Sequence, residues 1–171
     1  MLYRDKKPLP SRITLISLLL ISCAFTLPSF ADAVDIVEGV YELTSRELSN
    51  GTVQKPPQII GSLTMWKGHR NVNVLSTNPA GKRQSVSIVS MYTLTNKEFV
   101  ETLKFRVVTN ETSGEPPKYL VSGPAKSAPV KVQGNRVTFS PPYTRPSLVF
   151  DGNGLVSTAE GKFVDTWKKV K

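Results

Sequence analysis

The sequence predicts an all-β fold: a single antiparallel up-and-down β-barrel of about eight to ten strands, preceded by an N-terminal signal segment. Period-two alternation of apolar and polar residues dominates the chain from Val37 onward. Gly, Pro, Asn and Asp interrupt this alternation at short intervals, as turns between strands require. No stretch of useful length has the periodicity of an amphipathic helix. Strands without covering helices favour a closed barrel or a sandwich, because both protect sheet edges.

Residues 1–31 have the organisation of a secretory signal peptide. Four basic residues in the first twelve precede the apolar run ITLISLLLISCAFTL, and the small or helix-breaking residues PSFADA follow it. The apolar run is shorter than the roughly 20 residues that span a bilayer. We expect cleavage after Ala31 and export of the mature chain, either to a periplasm or out of the cell.

Cys23, the only cysteine, offers an alternative to simple export. The letters LISC resemble a lipoprotein box, in which Cys23 would carry lipid and become the mature N-terminus. The residues AFTLPSF after it are apolar, whereas a lipoprotein usually has a polar tether there. With cleavage after Ala31, the mature chain would contain neither a disulfide nor a thiol nucleophile.

The mature chain is long enough for one domain. Residues 32–36 form an N-terminal extension and residues 37–171 form the barrel domain. Removing residues 1–31 leaves 18 basic and 12 acidic residues, a net charge of +6. The excess is spread along the chain without aromatic interleaving, so nucleic acid is not an expected partner. An anionic envelope surface stays open as a partner, and the oligomeric state is not predicted.

Ten segments carry the strand pattern, and turn segments such as SNG, NPAGK, QGN and DGNG separate them. The predicted strands are GVYELTSREL, IIGSLTMW, NVNVLST, SVSIVSMYTL, EFVETLKFRVV, KYLVSG, PVKVQ, RVTFS, SLVF and KFVDTWKKV. Alternation puts one face of each strand toward the core of the barrel.

Glu101 is the unusual residue of the clearest strand, at residues 97–109. Phe99, Leu103 and Phe105 share one face of this strand, and Glu101 lies on the same face by parity. A carboxylate there either lies near a rim and contacts water or pairs with an Arg or Lys. Glu101 is therefore the candidate acid or base if the interior performs chemistry.

Several segments resemble lipocalin-like domains. GVYELTS resembles their Gly-x-Trp/Tyr-x-Leu-x-Ser opening, and DTWKKV resembles the Trp-x-Arg-Val ending of the bacterial and fungal group. IIGSLTMW, SMYTLTNKEFVETLKF and GNRVTFSPP resemble further segments of that group in the same order. The resemblance covers most of residues 37–170 and implies a lipocalin-like barrel.

The resemblance also implies how one end of the barrel is closed. Tyr41 would lie across that end, Lys169 would stack on it, and Gly39 would let backbones approach closely. Trp167 would be a second member of the plug or packed core. The family more often has Trp in place of Tyr41 and Arg in place of Lys169. Both changes weaken the contact, because a cation over an aromatic ring contributes about 0.5 to 2 kcal/mol and lysine lacks the planar guanidinium.

Neither metal chemistry nor nucleophilic catalysis is predicted. His69, in the turn WKGHRN, is the only histidine, so a metal site lacks ligands and a Ser-His-Asp triad would depend on this residue alone. There is no GxSxG motif. No metal or other cofactor is expected.

Binding of a small apolar or amphipathic molecule inside the barrel fits the residues best. The predicted wall residues are Leu63, Met65, Val89, Met91, Phe99, Glu101, Leu103 and Phe105. Tyr92 would lie near the mouth instead if the parity of its strand shifts.

Two other functions remain open at this point. One is a cofactor-free cyclase or isomerase with Glu101 as its acid, an analogy from the fold alone. The other is an envelope scaffold or inhibitor with a solid core that contacts a protein partner through the stiff loop PPYTRP, residues 141–146. The sequence does not decide whether the chain is an enzyme, although binding accounts for more of its residues than catalysis does.

Overall fold

The structure is a computed structural model that describes residues 32–144 and 146–170. It is all-β, with an antiparallel half-barrel sheet, which confirms the predicted fold class at this level. The predicted signal segment, its cleavage site after Ala31 and Cys23 lie outside the described residues. Among the residues that are described, no helix has the length and apolar character needed to cross a membrane.

One short helix, α1 (Ala33–Val37), precedes thirteen strands in the described chain. The strands are β1 (Gly39–Leu48), β2 (Val53–Gln54), β3 (Ile59–Trp66), β4 (His69–Thr77), β5 (Arg83–Leu94), β6 (Glu98–Asn110), β7 (Glu115–Val121), β8 (Ala125–Pro129), β9 (Lys131–Gln133), β10 (Arg136–Phe139), β11 (Ser147–Phe150), β12 (Gly154–Ala159) and β13 (Phe163–Lys169).

The sheet is a meander whose first and last long strands pair with each other. Its order is β7, β6, β5, β4, β3, β1, β13, β12, β11, β10 and β9. β1 is therefore central, and Tyr41 lies directly opposite Lys169 of β13. This long-range pair brings the two ends of the domain together, as the resemblance implied.

A single stretch of chain, residues 125–133, contacts two strands that are far apart in the sheet order. Its first half, β8, pairs with β6 at residues 98–102, and its second half, β9, pairs with β10. Only Val130 separates β8 from β9, and its N–H donates to the carbonyl of Lys97 at 2.8 Å. Residues 125–133 therefore link β6 to β10.

The sequence did not predict α1, β2, β8 or β12. Residues 32–36 were expected to be an extension, but Ala33, Ile36 and Val37 are buried in the main core. β12 was not predicted because Ser157 occupies one of its buried positions. An apolar residue there would have completed the alternation. A buried serine is tolerated there because its oxygen accepts a hydrogen bond from Trp167 Nε1 at 3.4 Å.

Stacked aromatic rings fill the end of the sheet next to α1. Phe99 and Phe139 have ring centroids 4.5 Å apart, and Tyr92, Phe150 and Tyr41 continue the series at 5.6 Å per contact. These distances are in the range in which aromatic pairs attract one another beyond simple burial. This half of the interior is therefore solid.

Gly61 allows Trp167 to pack against β3, and its replacement by alanine is expected to be destabilising. A Cβ at this position would lie 3.0 Å from Trp167 Cη2, 3.1 Å from Leu43 Cβ and 3.2 Å from the Asn73 carbonyl oxygen. Overpacking of this kind costs about 1 to 3 kcal/mol. Urea unfolding of Gly61→Ala should show this loss, together with a shifted Trp167 emission. The exposed neighbour variant Ser62→Ala should change stability by less than about 0.5 kcal/mol, and an equal loss in the two variants would contradict the packing argument.

Candidate ligand-binding cavity

A cavity of about 370 Å³ occupies the half of the interior that the aromatic rings leave open. It lies at the end opposite α1, where polar residues near the ends of β4, β5 and β6 form its edge: Ser76, Gln84 and Asn110. Aliphatic side chains make much of its wall, among them Leu63, Val72, Val74, Val86, Ile88 and Leu155. An apolar wall with a few polar groups is typical of small-molecule sites.

A β-bulge on β6 determines which side chains face this cavity. In the pairing of β5 with β6, Val89 lies opposite Phe105, but its neighbour Ser90 lies opposite Leu103. Lys104 is therefore the extra residue of β6. A bulge of this kind shifts the alternation of the strand and re-aims every side chain beyond it.

The bulge overturns the predicted interior position of Phe105. Leu103 is buried, but beyond the bulge the interior positions are Arg106 and Val108, which line the cavity. Phe105 is instead 40% exposed. The prediction assumed unbroken alternation through residues 97–109, and a one-residue insertion moves side chains to the other face of a strand.

The predicted wall positions of Val89 and Met91 also require correction. On β5 the buried residues are Ile88, Ser90, Tyr92 and Leu94, so Val89 and Met91 lie on the other face. Ser90 breaks the apolar pattern of the inner face, which made the outer face look more hydrophobic. Tyr92 was predicted to face the interior only if the parity of its strand shifts, and it does face the interior. Its ring belongs to the solid core, however, and does not line the cavity.

The remaining predicted wall residues divide between cavity and core. Leu63 lines the cavity. Met65 and Phe99 are fully buried in the main core, next to the aromatic series, and do not line it. Leu103 is buried in a smaller cluster with Ile88 and Tyr143.

Glu101 is fully buried and held by two side chains below the cavity. Its Oε1 accepts a hydrogen bond from Arg70 Nη1 at 2.8 Å and from Ser90 Oγ at 2.6 Å. Arg70, which is 3% exposed, lines the cavity, whereas Glu101 does not. Burial lowers the pKa of the Arg70 guanidinium from its ordinary value, and the charge of Glu101 opposes that change. The sequence left open whether Glu101 contacts water near a rim or pairs with a basic residue. In the structure Glu101 pairs with Arg70.

A second ion pair joins β1 to β13 on the cavity wall. Arg46 donates from Nε and Nη2 to the two carboxylate oxygens of Asp165, at 2.6 and 2.7 Å. The guanidinium also lies over the ring of Phe163, 3.8 Å from its centroid. A bidentate pair of this kind fixes the arginine in one orientation.

The residues predicted to close one end of the barrel meet beside α1. Tyr41 is fully buried, and its hydroxyl donates to the carbonyl of Val37 at 2.7 Å. Lys169 Nζ lies 5.7 Å from the centroid of the Tyr41 ring and donates to the carbonyl of Ile36 at 3.3 Å. Burial raises the pKa of Tyr41, so its hydroxyl stays protonated and able to donate.

The other two predicted closure residues have separate positions. Gly39 is buried at the start of β1, opposite Met65 of β3. Trp167 lies between Leu43 and Leu155 in the sheet and lines the cavity. Trp167 therefore belongs to the main core and also borders the cavity.

Three arginines of the cavity wall were not predicted: Arg46, Arg70 and Arg106. Arg70 was assigned to the turn KGHR, although by alternation it shares the face of Val72 and Val74. That signal was present in the sequence. Unbroken alternation from Phe105, predicted inside, would put Arg106 on the outer face, and only the bulge at Lys104 brings it inward.

His69 is exposed at the start of β4. In the part of the chain that the structure describes, no group of three or more His, Cys, Asp or Glu side chains is close enough to hold a metal ion.

Comparison of the chain with protein-family models, with curated proteins and with solved structures finds no match. The resemblance to lipocalin-like domains therefore depends on the residues of this chain alone.

Proposed function

We propose that the mature chain is an exported, lipocalin-like barrel that binds a small amphipathic ligand in the open half of its interior. The observation that carries this proposal is the cavity of about 370 Å³. Ligand pockets typically have volumes of about 300 to 1,000 Å³. A core packed solid throughout would have favoured the scaffold or inhibitor function instead.

Closure of the barrel is part of the proposal. The link through residues 125–133 supports it, because β8 pairs with β6 and β9 pairs with β10. The sheet order runs from β6 through β1 to β10, so this link joins its two sides. A closed barrel leaves few free strand edges and encloses its interior positions.

The enzyme function has less support. It requires a carboxylate that contacts the ligand, but Glu101 does not line the cavity and its charge is paired with Arg70. Asp165 does line it, yet both of its oxygens accept from Arg46. Neither carboxylate is poised for proton transfer, which needs a group within hydrogen-bond reach of the substrate.

The scaffold or inhibitor function depended on the loop at residues 141–146 as an exposed contact surface. Pro141 and Tyr143 are buried, and the Tyr143 hydroxyl donates to the carbonyl of Pro124. Thr144 and Pro146 line the cavity. This arrangement favours a loop that forms part of the cavity edge.

A test of ligand binding can use Trp167 as its reporter. Trp167 lines the cavity, and the only other tryptophan, Trp66, is 51% exposed, so Trp66→Phe leaves a single emitter at the site. Titration with octanoate, decanoate and dodecanoate should change its emission with saturation. Each added methylene should improve affinity by up to about fourfold until the cavity is full, since a buried methylene contributes about 0.8 kcal/mol.

A matched pair of variants locates the binding in the cavity. Val74→Phe places a larger side chain in the cavity and should weaken decanoate binding at least tenfold, because it occupies ligand volume. Val156→Phe makes the same change at a residue that is 38% exposed and should leave binding unchanged. Absence of saturable binding for all three fatty acids and for the neutral analogue decanol, or equal loss in both variants, would contradict the proposed function.

Export is tested separately by the intact mass of the protein recovered from its own host. Cleavage after Ala31 and lipidation at Cys23 give different mature masses.

A further inference from the structure

Positive charge is in excess on the cavity wall. Four lining residues are cationic, Arg46, Arg70, Arg106 and Lys162, and one, Asp165, is anionic. Asp165 pairs with Arg46, and Glu101 behind the wall pairs with Arg70. Lys162 is exposed at the edge and can be hydrated. Arg106 is thus the partly buried cation for which the described residues provide no counter-charge.

Arg106 also has unused hydrogen-bonding capacity. Its Nε is buried and has no acceptor within residues 32–144 and 146–170. Nor does its side chain form an ion pair with an acidic residue in the described part of the chain. A buried donor without an acceptor is costly, and more so when it is charged, so most such groups have a partner in the functional state.

Arg70 offers a second donor on the same side of the cavity. Its Nη1 contacts Glu101, but its Nε is buried without an acceptor. Arg70 on β4 lies opposite Ser90 of β5, and Arg106 on β6 lies opposite Ile88 of β5. The two arginines therefore flank β5 and are offset by two residues along it, roughly 7 Å. Across the sheet their backbones are separated by two strand spacings, roughly 9.5 Å, and each arginine has a buried Nε without an acceptor among the described residues.

We infer that the ligand carries an anionic oxygen headgroup, a carboxylate or sulfate, which binds Arg106 with Arg70 beside it while the tail contacts the aliphatic wall. This inference rests on the proposed function and specifies its ligand class. A cationic ligand would meet net positive charge, and a neutral one would leave Arg106 without a counter-charge. Arginine suits such a headgroup because its planar donors match carboxylate and sulfate oxygens.

Four probes of equal chain length test the inference on the Trp66→Phe protein. Decanoate and decyl sulfate are anionic, decanol is neutral, and decyltrimethylammonium is cationic. Decanoate or decyl sulfate should bind about tenfold to hundredfold more tightly than decanol, as a charged hydrogen bond predicts. The anion that binds more tightly shows whether the site prefers a carboxylate or a sulfate headgroup. Decyltrimethylammonium should bind more weakly than decanol.

Two variants assign the headgroup to its residue. Arg106→Gln should lose at least tenfold in affinity for the preferred anion and less than twofold for decanol, whereas Arg106→Lys should retain part of the anion preference. Lys97→Gln removes the same formal charge from an exposed position in the turn before β6 and should change neither affinity by more than twofold. Retained decanol binding shows that the variants are folded.

The outcomes separate the inference from the proposed function. Equal binding of the anionic probes and decanol by the Trp66→Phe protein would overturn the inference and leave the cavity function standing. An anion preference that survives in Arg106→Gln would also overturn the assignment to Arg106. Failure of all four probes to bind would overturn the proposed function and this inference with it.

Discussion

Replacing Glu101 with glutamine is expected to lower the free energy of unfolding by about 3 to 5 kcal/mol, because it leaves Arg70 as an uncompensated buried charge. Both side chains are almost inaccessible to solvent, with Glu101 at 0% and Arg70 at 3% exposure. The ion pair at 2.8 Å is therefore not screened by water. Equilibrium unfolding in urea measures the loss.

Two controls separate the ion pair from other effects at Glu101. Glu98→Gln, at an exposed position on the same strand, should change stability by less than about 0.5 kcal/mol. The double variant Arg70→Met with Glu101→Gln should recover part of the lost stability, since removing both charges is much less costly than removing one. Equal stability of Glu101→Gln and Glu98→Gln would show that the buried ion pair does not stabilise the fold.

Truncation of Tyr41 to alanine is expected to have an effect of similar size, about 3 to 5 kcal/mol. The ring is fully buried, contacts Phe150 edge-on at 5.6 Å and lies under Lys169. Alanine would leave a cavity where β1, β13 and α1 meet. Urea unfolding measures the change in stability, and hydrogen exchange at α1 should increase because the Tyr41 hydroxyl no longer holds the Val37 carbonyl.

Tyr41→Phe isolates the hydroxyl from the ring. It should cost about 1 kcal/mol, the usual contribution of one hydrogen bond. Tyr119→Ala removes a tyrosine ring that is 68% exposed on β7 and should be nearly neutral. A loss in Tyr41→Ala no greater than in Tyr119→Ala would show that this end of the sheet does not depend on the ring.

The two predictions concern different halves of one interior. Tyr41 belongs to the solid half beside α1, and the Arg70–Glu101 pair lies where that half meets the cavity. Glu101 therefore supports a cavity wall without forming its surface. A buried acid–base pair at such a boundary positions the arginine, whose Nε is buried without an acceptor among the described residues.

The local sequence pattern predicted much of the fold. Alternation with turn residues was sufficient to predict an all-β chain, and most of its strands lie where the pattern put them. The resemblance to lipocalin-like domains, and not the alternation, implied that Tyr41 and Lys169 meet, and they do face each other across β1 and β13. The pattern failed where serine replaces an apolar residue at an inner position, at Ser90 and Ser157. Each of these serines has a buried hydrogen-bond partner that lies on the neighbouring strand.

The sequence by itself determined the strand content, because side-chain periodicity is a property that each strand carries locally. The meeting of the chain's two ends was implied by the resemblance of its first and last segments to lipocalin-like domains. Only the tertiary structure decided which residues face the cavity. The bulge at Lys104 is a property of the pairing between β5 and β6, so no periodicity within β6 reveals that Phe105 lies outside and Arg106 inside. The charge of the site depends in the same way on pairs such as Arg46 with Asp165, whose partners meet only when the sheet forms.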